Sequence, residues 1–251
     1  MGNFQNKYAK NYDLFYRDKD YKEEALYILS LVKKFKIPRN CLLELGCGTG
    51  SHSKILSKHF KNIHGIDISK EMIEIALKDN KFDNIVFEYG DVRDFNLSKT
   101  FDCIISLFHV ASYQVNNIDI SQMFERVSYH LYSGGYFIFD FWYGPGVLDD
   151  LPEKRVKKIT RGDIKVTRTA KPIMRREQNI VDVQYDFSVN DSNKIEIDSY
   201  SEVHSMRYFF LPELKILLEQ HNLEFTDAFS WMTLKKLNYQ SWYGLVVAKK
   251  K

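Results

Sequence analysis

Cysteine is scarce in this chain: three in 251 residues, Cys41, Cys47 and Cys103, an odd number without CxxC spacing. That excludes a disulfide-rich scaffold, and the thiols read as reduced, in a cytoplasmic protein. Glycine (12) and proline (5) are also sparse, which excludes a collagen-like repeat. No apolar stretch approaches the roughly 18 residues needed to cross a bilayer, so no membrane span is expected. The polar start Met1-Gly2-Asn3-Phe4-Gln5-Asn6-Lys7 leads into no apolar run, so no secretory signal is expected. A charge excess is missing too. Against 33 acidic side chains stand 36 basic ones, and a net charge of +3 gives no reason to expect nucleic acid. His52, His59 and His64 have no ligand spacing with cysteines or acids, so no metal is expected.

What remains is a globular composition, 44% hydrophobic and 27% charged, with many aromatics (18 Phe, 16 Tyr). Asp20 to Lys36 has helical apolar spacing and Pro38 follows it. From Cys41 the chain alternates short apolar strands with helices. Strands are expected at Cys41–Leu45, Ile63–Asp67, Ile85–Tyr89, Phe101–Phe108 and Gly135–Phe141. Helices are expected from about Ser51 to Phe60, over Lys70–Asn80 with Ser69 as N-cap, and over 119–132. This rhythm defines an α/β fold, a doubly wound, Rossmann-like sheet. Between Arg155 and Tyr208 the period becomes two, as in antiparallel strands. Helix and strand patterns then resume to the C-terminus. The expected organisation is an N-terminal helical cap (1–39), an α/β core (40–150 and 209–251) and an antiparallel insertion (151–208).

The chemistry concentrates at three strand ends. Glu44-Leu45-Gly46-Cys47-Gly48-Thr49-Gly50 places three glycines where a backbone can turn and approach a ligand. The spacing is GxGxG, since Ser51 stands where a dinucleotide fingerprint wants its third glycine. Glu44 would repel a pyrophosphate and hold an ammonium. Asp67 closes the second strand, where an acid takes both hydroxyls of a ribose. Asp91, after the third strand, can meet an adenine amino group together with backbone groups.

These words resemble motifs I, II and III of class I S-adenosylmethionine-dependent methyltransferases, with Gly65-Ile66-Asp67-Ile68-Ser69 and Met72 as the second and Gly90-Asp91-Val92-Arg93-Asp94-Phe95 as the third. The resemblance implies S-adenosyl-L-methionine as cofactor, held by Tyr16, Glu44, Gly46, Gly48, Gly50, Asp67, Ile68, Met72, Asp91, Val92 and Leu107. A narrower likeness spans nearly the whole chain. Tyr12-Asp13-Leu14-Phe15-Tyr16, Asp20-Tyr21, Phe141-Trp142-Tyr143, Glu202-Val203-His204 and Leu245-Val246-Val247-Ala248 are similar to the N-methyltransferases of nucleotide-linked deoxyaminosugars. It implies a small-molecule acceptor, a nucleotide-linked sugar, covered by the N-terminal segment and the insertion. Tyr12, Trp142, Tyr143, Arg161 and His204 are the candidate acceptor contacts, and a homodimer is compatible with all of this.

After the fourth strand the sequence departs from that family. It reads Leu107-Phe108-His109-Val110-Ala111-Ser112-Tyr113, where His109 is extra and Tyr113 falls where some members have a functional His. A sulfonium methyl needs mainly an aligned lone pair. A hydroxyl acceptor also needs a base, and an amine needs only its neutral form and a route for its proton. His109 and Tyr113 are therefore the catalytic candidates, with nitrogen and oxygen both open as the atom methylated. Methylation of another small metabolite, an RNA-modifying enzyme and a non-catalytic cofactor binder are the competing readings.

Overall fold

The computed structural model describes residues 19–191 and 195–251. Helix α1 (Tyr21–Lys34) starts at Asp20, whose carboxylate accepts the Glu23 N–H at 2.9 Å, and carries Glu23 and Glu24 in its first turn and Lys33 and Lys34 in its last. Then follow β1 (Cys41–Leu45), α2 (Ser51–Leu56), β2 (Asn62–Asp67), α3 (Lys70–Lys78), β3 (Ile85–Tyr89) and β4 (Phe101–Ser106). A 3-10 turn (Val110–Tyr113) leads to α4 (Asn117–His130), β5 (Leu131–Tyr143) and α5 (Gly144–Asp149). Ser69 caps α3 by accepting the Met72 N–H at 3.2 Å. Helix α2 is one and a half turns long and stops at Leu56, short of the Phe60 end that its apolar pattern predicts.

Strands β3-β2-β1-β4-β5 pair in parallel in that order, so β1 sits in the middle, buried at four of its five residues. Two apolar clusters cover the sheet's faces. One gathers Phe124 and Leu218 around Phe137, Phe139 and Phe141; the other packs Ile28, Leu31, Leu56 and Ile73 against Leu42, Ile63 and Ile105. Strands buried on both faces explain the near-continuous apolar runs.

The rest of the chain extends this sheet twice. Strand β5 begins at Leu131, four residues before the expected Gly135, because Leu131 still pairs with Phe101 of β4. Along one edge β5 pairs antiparallel with β11 (Tyr243–Lys250), which pairs with β10 (Leu223–Ser230). At its far end Trp142 and Tyr143 pair with Tyr208 and Phe209 of β9 (Glu196–Phe209). Strand β9 continues into β8 (Ile180–Asn190), β7 (Ile164–Arg175) and β6 (Arg155–Arg161), all antiparallel. Helix α6 (Leu211–Gln220), with Pro212 in its first turn, joins β9 to β10. The antiparallel layer thus grows out of the carboxyl end of β5, where β1, β2 and β4 also end. No helix among the described residues is long and apolar enough to cross a membrane.

Candidate active site

A cleft of about 490 Å³ opens at these strand ends, a volume suited to a small molecule. The glycine loop forms its floor. Gly46 and Cys47 both donate their N–H to Ile66 O at 2.9 Å, which pins the loop across the end of β2. Gly46 has φ +70° and a Cβ there would lie 2.4 Å from Val110 Cγ2. Gly48 has φ +54°, lines the cleft, and a Cβ on it would meet no atom within 4 Å. The first glycine lets the chain pack; the second leaves a bare backbone facing the cleft.

Asp67 stands beside that loop. Its Oδ2 accepts the Gly48 N–H and its Oδ1 the Ser69 N–H, each at 2.8 Å. Burial holds the carboxyl above its ordinary range against these two bonds. Ile68, Met72, Val92 and Leu107 supply apolar walls, and Asp91 faces the cleft while its carboxylate holds Arg93, with Nε to Oδ1 at 2.9 Å.

Glu44 is placed differently from the expectation. It is 1% exposed and outside the cleft lining. Its Oε2 accepts the Ser53 hydroxyl at 2.5 Å and its Oε1 lies 3.3 Å from His52 Nδ1. The other nitrogen of His52 donates to Glu24 Oε2 at 2.6 Å, and Lys19 Nζ lies 3.0 Å from the same oxygen. Motif I is therefore stitched to α1 by a Glu44–His52–Glu24 chain, buried at Glu44 and His52. Gly50 likewise lies behind the cleft, as the left-handed residue that starts α2. Lys19 lines the cleft with its ammonium 3.6 Å from the Phe108 ring centroid, and burial lowers its affinity for the proton.

The two catalytic candidates separate. Phe108 and His109 both have φ +65°, a left-handed pair after β4. The His109 N–H donates to Asp140 Oδ1 at 2.8 Å, its Nδ1 lies 2.8 Å from Asp140 Oδ2, and its ring stacks on Tyr243 at 4.7 Å. It is not among the cleft-lining residues. Tyr113 is, and its hydroxyl bonds to His204 Nδ1 at 2.8 Å. The remaining nitrogen of His204 lies 3.2 Å from Glu202 Oε2.

Of the acceptor candidates, His204 reaches the cleft through Tyr113. Trp142 packs edge-on against Trp242 at 4.7 Å and Tyr143 packs on Phe141, both away from the cleft lining. Arg161 ends β6 opposite Ile164 at a hairpin. Tyr12 and Tyr16 lie outside the described residues. Sequence reasoning passed over Lys19, Gln114 and Ser205 as cleft residues and Glu202 and Asp140 as partners. Glu202 and His204 could have been paired from sequence, since alternate residues of a strand share a face.

The bare Gly48 backbone, the half-buried acid at the end of β2 and the apolar walls fit an adenosyl and amino-acid ligand. Such a loop and acid at the carboxyl ends of a β3-β2-β1-β4-β5 parallel sheet define a class I methyltransferase. Residues 42–135 match the family model described as a methyltransferase domain. The chain is 29% identical over 214 residues to the dTDP-3-amino-3,4,6-trideoxy-alpha-D-glucopyranose N,N-dimethyltransferase of Streptomyces venezuelae, covering 84% of this chain and 87% of that one. Among solved structures, Streptomyces venezuelae DesVI superposes with TM-score 0.80 and 25% identity over 99% of this chain and 100% of that one. CalS10, a SAM-bound amino pentose methyltransferase from Micromonospora echinaspora, superposes with TM-score 0.77 at 20% identity, over 100% and 99% of the two chains. The chain is an S-adenosylmethionine-dependent methyltransferase.

Proposed function

We propose that the chain methylates the amino group of a nucleotide-linked sugar. The observation that carries this reading is the Tyr113 hydroxyl, set in the cleft wall and backed by His204 from the antiparallel layer. Around it the cleft presents Gln114, Asn116 and Ser205, which are hydrogen-bonding groups rather than strong bases. Such a lining orients an acceptor by hydrogen bonds and offers its proton a route out, which is what an amine, nucleophilic in its neutral form, needs. The name of the Streptomyces venezuelae relative, an N,N-dimethyltransferase of a dTDP-linked aminosugar, supports the same class of acceptor.

Bound S-adenosylmethionine supplies an electrophilic methyl on a cationic sulfur. The chain's own residues then have three tasks. The loop 46–49 and Asp67 fix the cofactor's position, which matters because attack needs in-line geometry at about 3–3.5 Å. Leu107 and Phe108 line the cleft as apolar surface beside the glycine loop. Tyr113 orients the amine by hydrogen bonding and takes its displaced proton.

Mass spectrometry of purified enzyme with S-adenosylmethionine and a panel of nucleotide-linked sugars tests this. An amino sugar gaining one or two methylene masses is the expected result. Gain only on the matched hydroxyl sugar, or on neither, contradicts it.

A further inference from the structure

Glu202 is a carboxylate in an unusual place. It is 6% exposed on β9, and its Oε1 has no hydrogen-bond partner among the described residues. Glutamates are rarely buried unless paired, and a buried oxygen without a partner costs stability. Among the described residues its side chain meets His204, with Oε2 3.2 Å from Nε2. The strand's alternation sends both side chains inward, while Val203 between them is half exposed. His204, itself 1% exposed, turns Nδ1 to the Tyr113 hydroxyl. Beside the ring stands Tyr185 of β8, edge-on at 5.1 Å, with the Arg168 guanidinium 5.0 Å from the Tyr185 ring centroid.

We propose that Glu202 is a positioning residue that sets His204 as its Nε2–H tautomer, so that Tyr113 donates to Nδ1 and the acceptor's proton leaves through Tyr113 to His204. The chemistry follows from the donor inventory. A carboxylate only accepts, so the nitrogen facing Glu202 carries the hydrogen. The other nitrogen then offers a lone pair, which the phenol's hydrogen fills. In the transfer step the N–H bond of the acceptor breaks and an O–H bond forms at Tyr113. At the same time the former Tyr113 proton bonds to Nδ1 of His204. The imidazole ends with one added proton and still faces the carboxylate through Nε2–H. After the product leaves, the same two transfers run backwards and deliver the proton to water in the open cleft. The position of His204 against Tyr113 thus makes a phenol into a relay, and Glu202 fixes its direction.

The inference rests on the amine-acceptor reading, and its test has an arm that does not. With histidine ring nitrogens labelled, ¹⁵N spectra of the unliganded wild type at neutral pH are expected to show His204 protonated at Nε2 and bare at Nδ1. Glu202→Gln, which can present a donor to Nε2, should shift this signal towards the Nδ1–H form. In single-turnover assays on a nucleotide-linked aminosugar, Glu202→Gln should lose at least about tenfold in rate with KM for the acceptor unchanged, and Glu202→Asp should recover part of the loss. A wild-type Nδ1–H tautomer, or a Glu202→Gln rate equal to wild type, overturns the proposal. Should no aminosugar be methylated, the acceptor reading falls, and the tautomer spectrum alone decides the role of Glu202.

Discussion

His52 donates through Nε2 to Glu24 Oε2 across 2.6 Å, and this one bond ties helix α1 to the helix that follows the glycine loop. Burial by itself would push the imidazole down. The bonds with Glu24 and Glu44 outweigh it and hold His52 above its ordinary value. For Glu24, burial pulls upward, and His52 and Lys19 win, holding it below the usual carboxylate range.

A group whose folded-state value is raised gives stability that is complete below its unfolded value, about pH 6.5 for His, and fades as pH climbs through the folded value. The lowered Glu24 contributes above about pH 4.5 and loses its share as pH falls. Urea denaturation of wild type and His52→Gln between about pH 5.5 and 8.5 should therefore show a stability gap that narrows with rising pH. A gap that does not change with pH would exclude a charged His52.

Gly48 and Gly46 should respond in opposite ways to a side chain. Gly48→Val places a left-handed β-branched residue in open space, so the protein should fold at a cost of about 1–2 kcal/mol and lose cofactor binding. Gly46→Ala meets Val110 inside the packing and should lower Tm more than Gly48→Val does. Calorimetry with S-adenosylmethionine and thermal melts of both variants separate the two effects. Normal cofactor affinity in Gly48→Val would mean the cofactor does not approach this backbone.

Asp67→Ala should weaken S-adenosylmethionine binding by about 1.5–3 kcal/mol for each ribose hydroxyl bond lost. Two donors inside the protein, Gly48 and Ser69 N–H, also lose their acceptor. Asp67→Asn keeps an acceptor oxygen, so its loss should be smaller. Equal affinity for all three proteins, measured by titration calorimetry, would sink the assignment.

The glycine loop, Asp67 and the Ser69 cap were legible because their geometry is local: a turn, a strand end and a cap are written within a few residues. The histidines were not. His52 meets Glu24 28 residues away, His109 meets Asp140 31 away, and Tyr113 meets His204 91 away. Sequence distance hides such partners, so His109 reads as a base beside the methyl from its place after β4. Its ring instead turns to Tyr243 of β11, a strand that only the folded sheet brings alongside β5. The long reach of β5 was missed for a similar reason, since Trp142 and Tyr143 extend it by pairing with β9.

His109 should accordingly matter for structure more than for chemistry. Its left-handed backbone is held by two contacts with Asp140, and Asn tolerates that conformation better than most residues. His109→Asn is expected to lower Tm through the lost Tyr243 stacking while single-turnover methyl transfer stays within about tenfold of wild type. A larger rate loss with an unchanged Tm would restore His109 as the base.

Tyr113→Phe keeps the ring and removes only the hydroxyl that faces the cleft and hydrogen-bonds with His204 Nδ1. Single-turnover methyl transfer to a nucleotide-linked aminosugar should fall by roughly 10²-fold or more, at saturating cofactor and with unchanged S-adenosylmethionine affinity. A rate within a factor of about three of wild type would show that the proton leaves by another route, and would contradict the account.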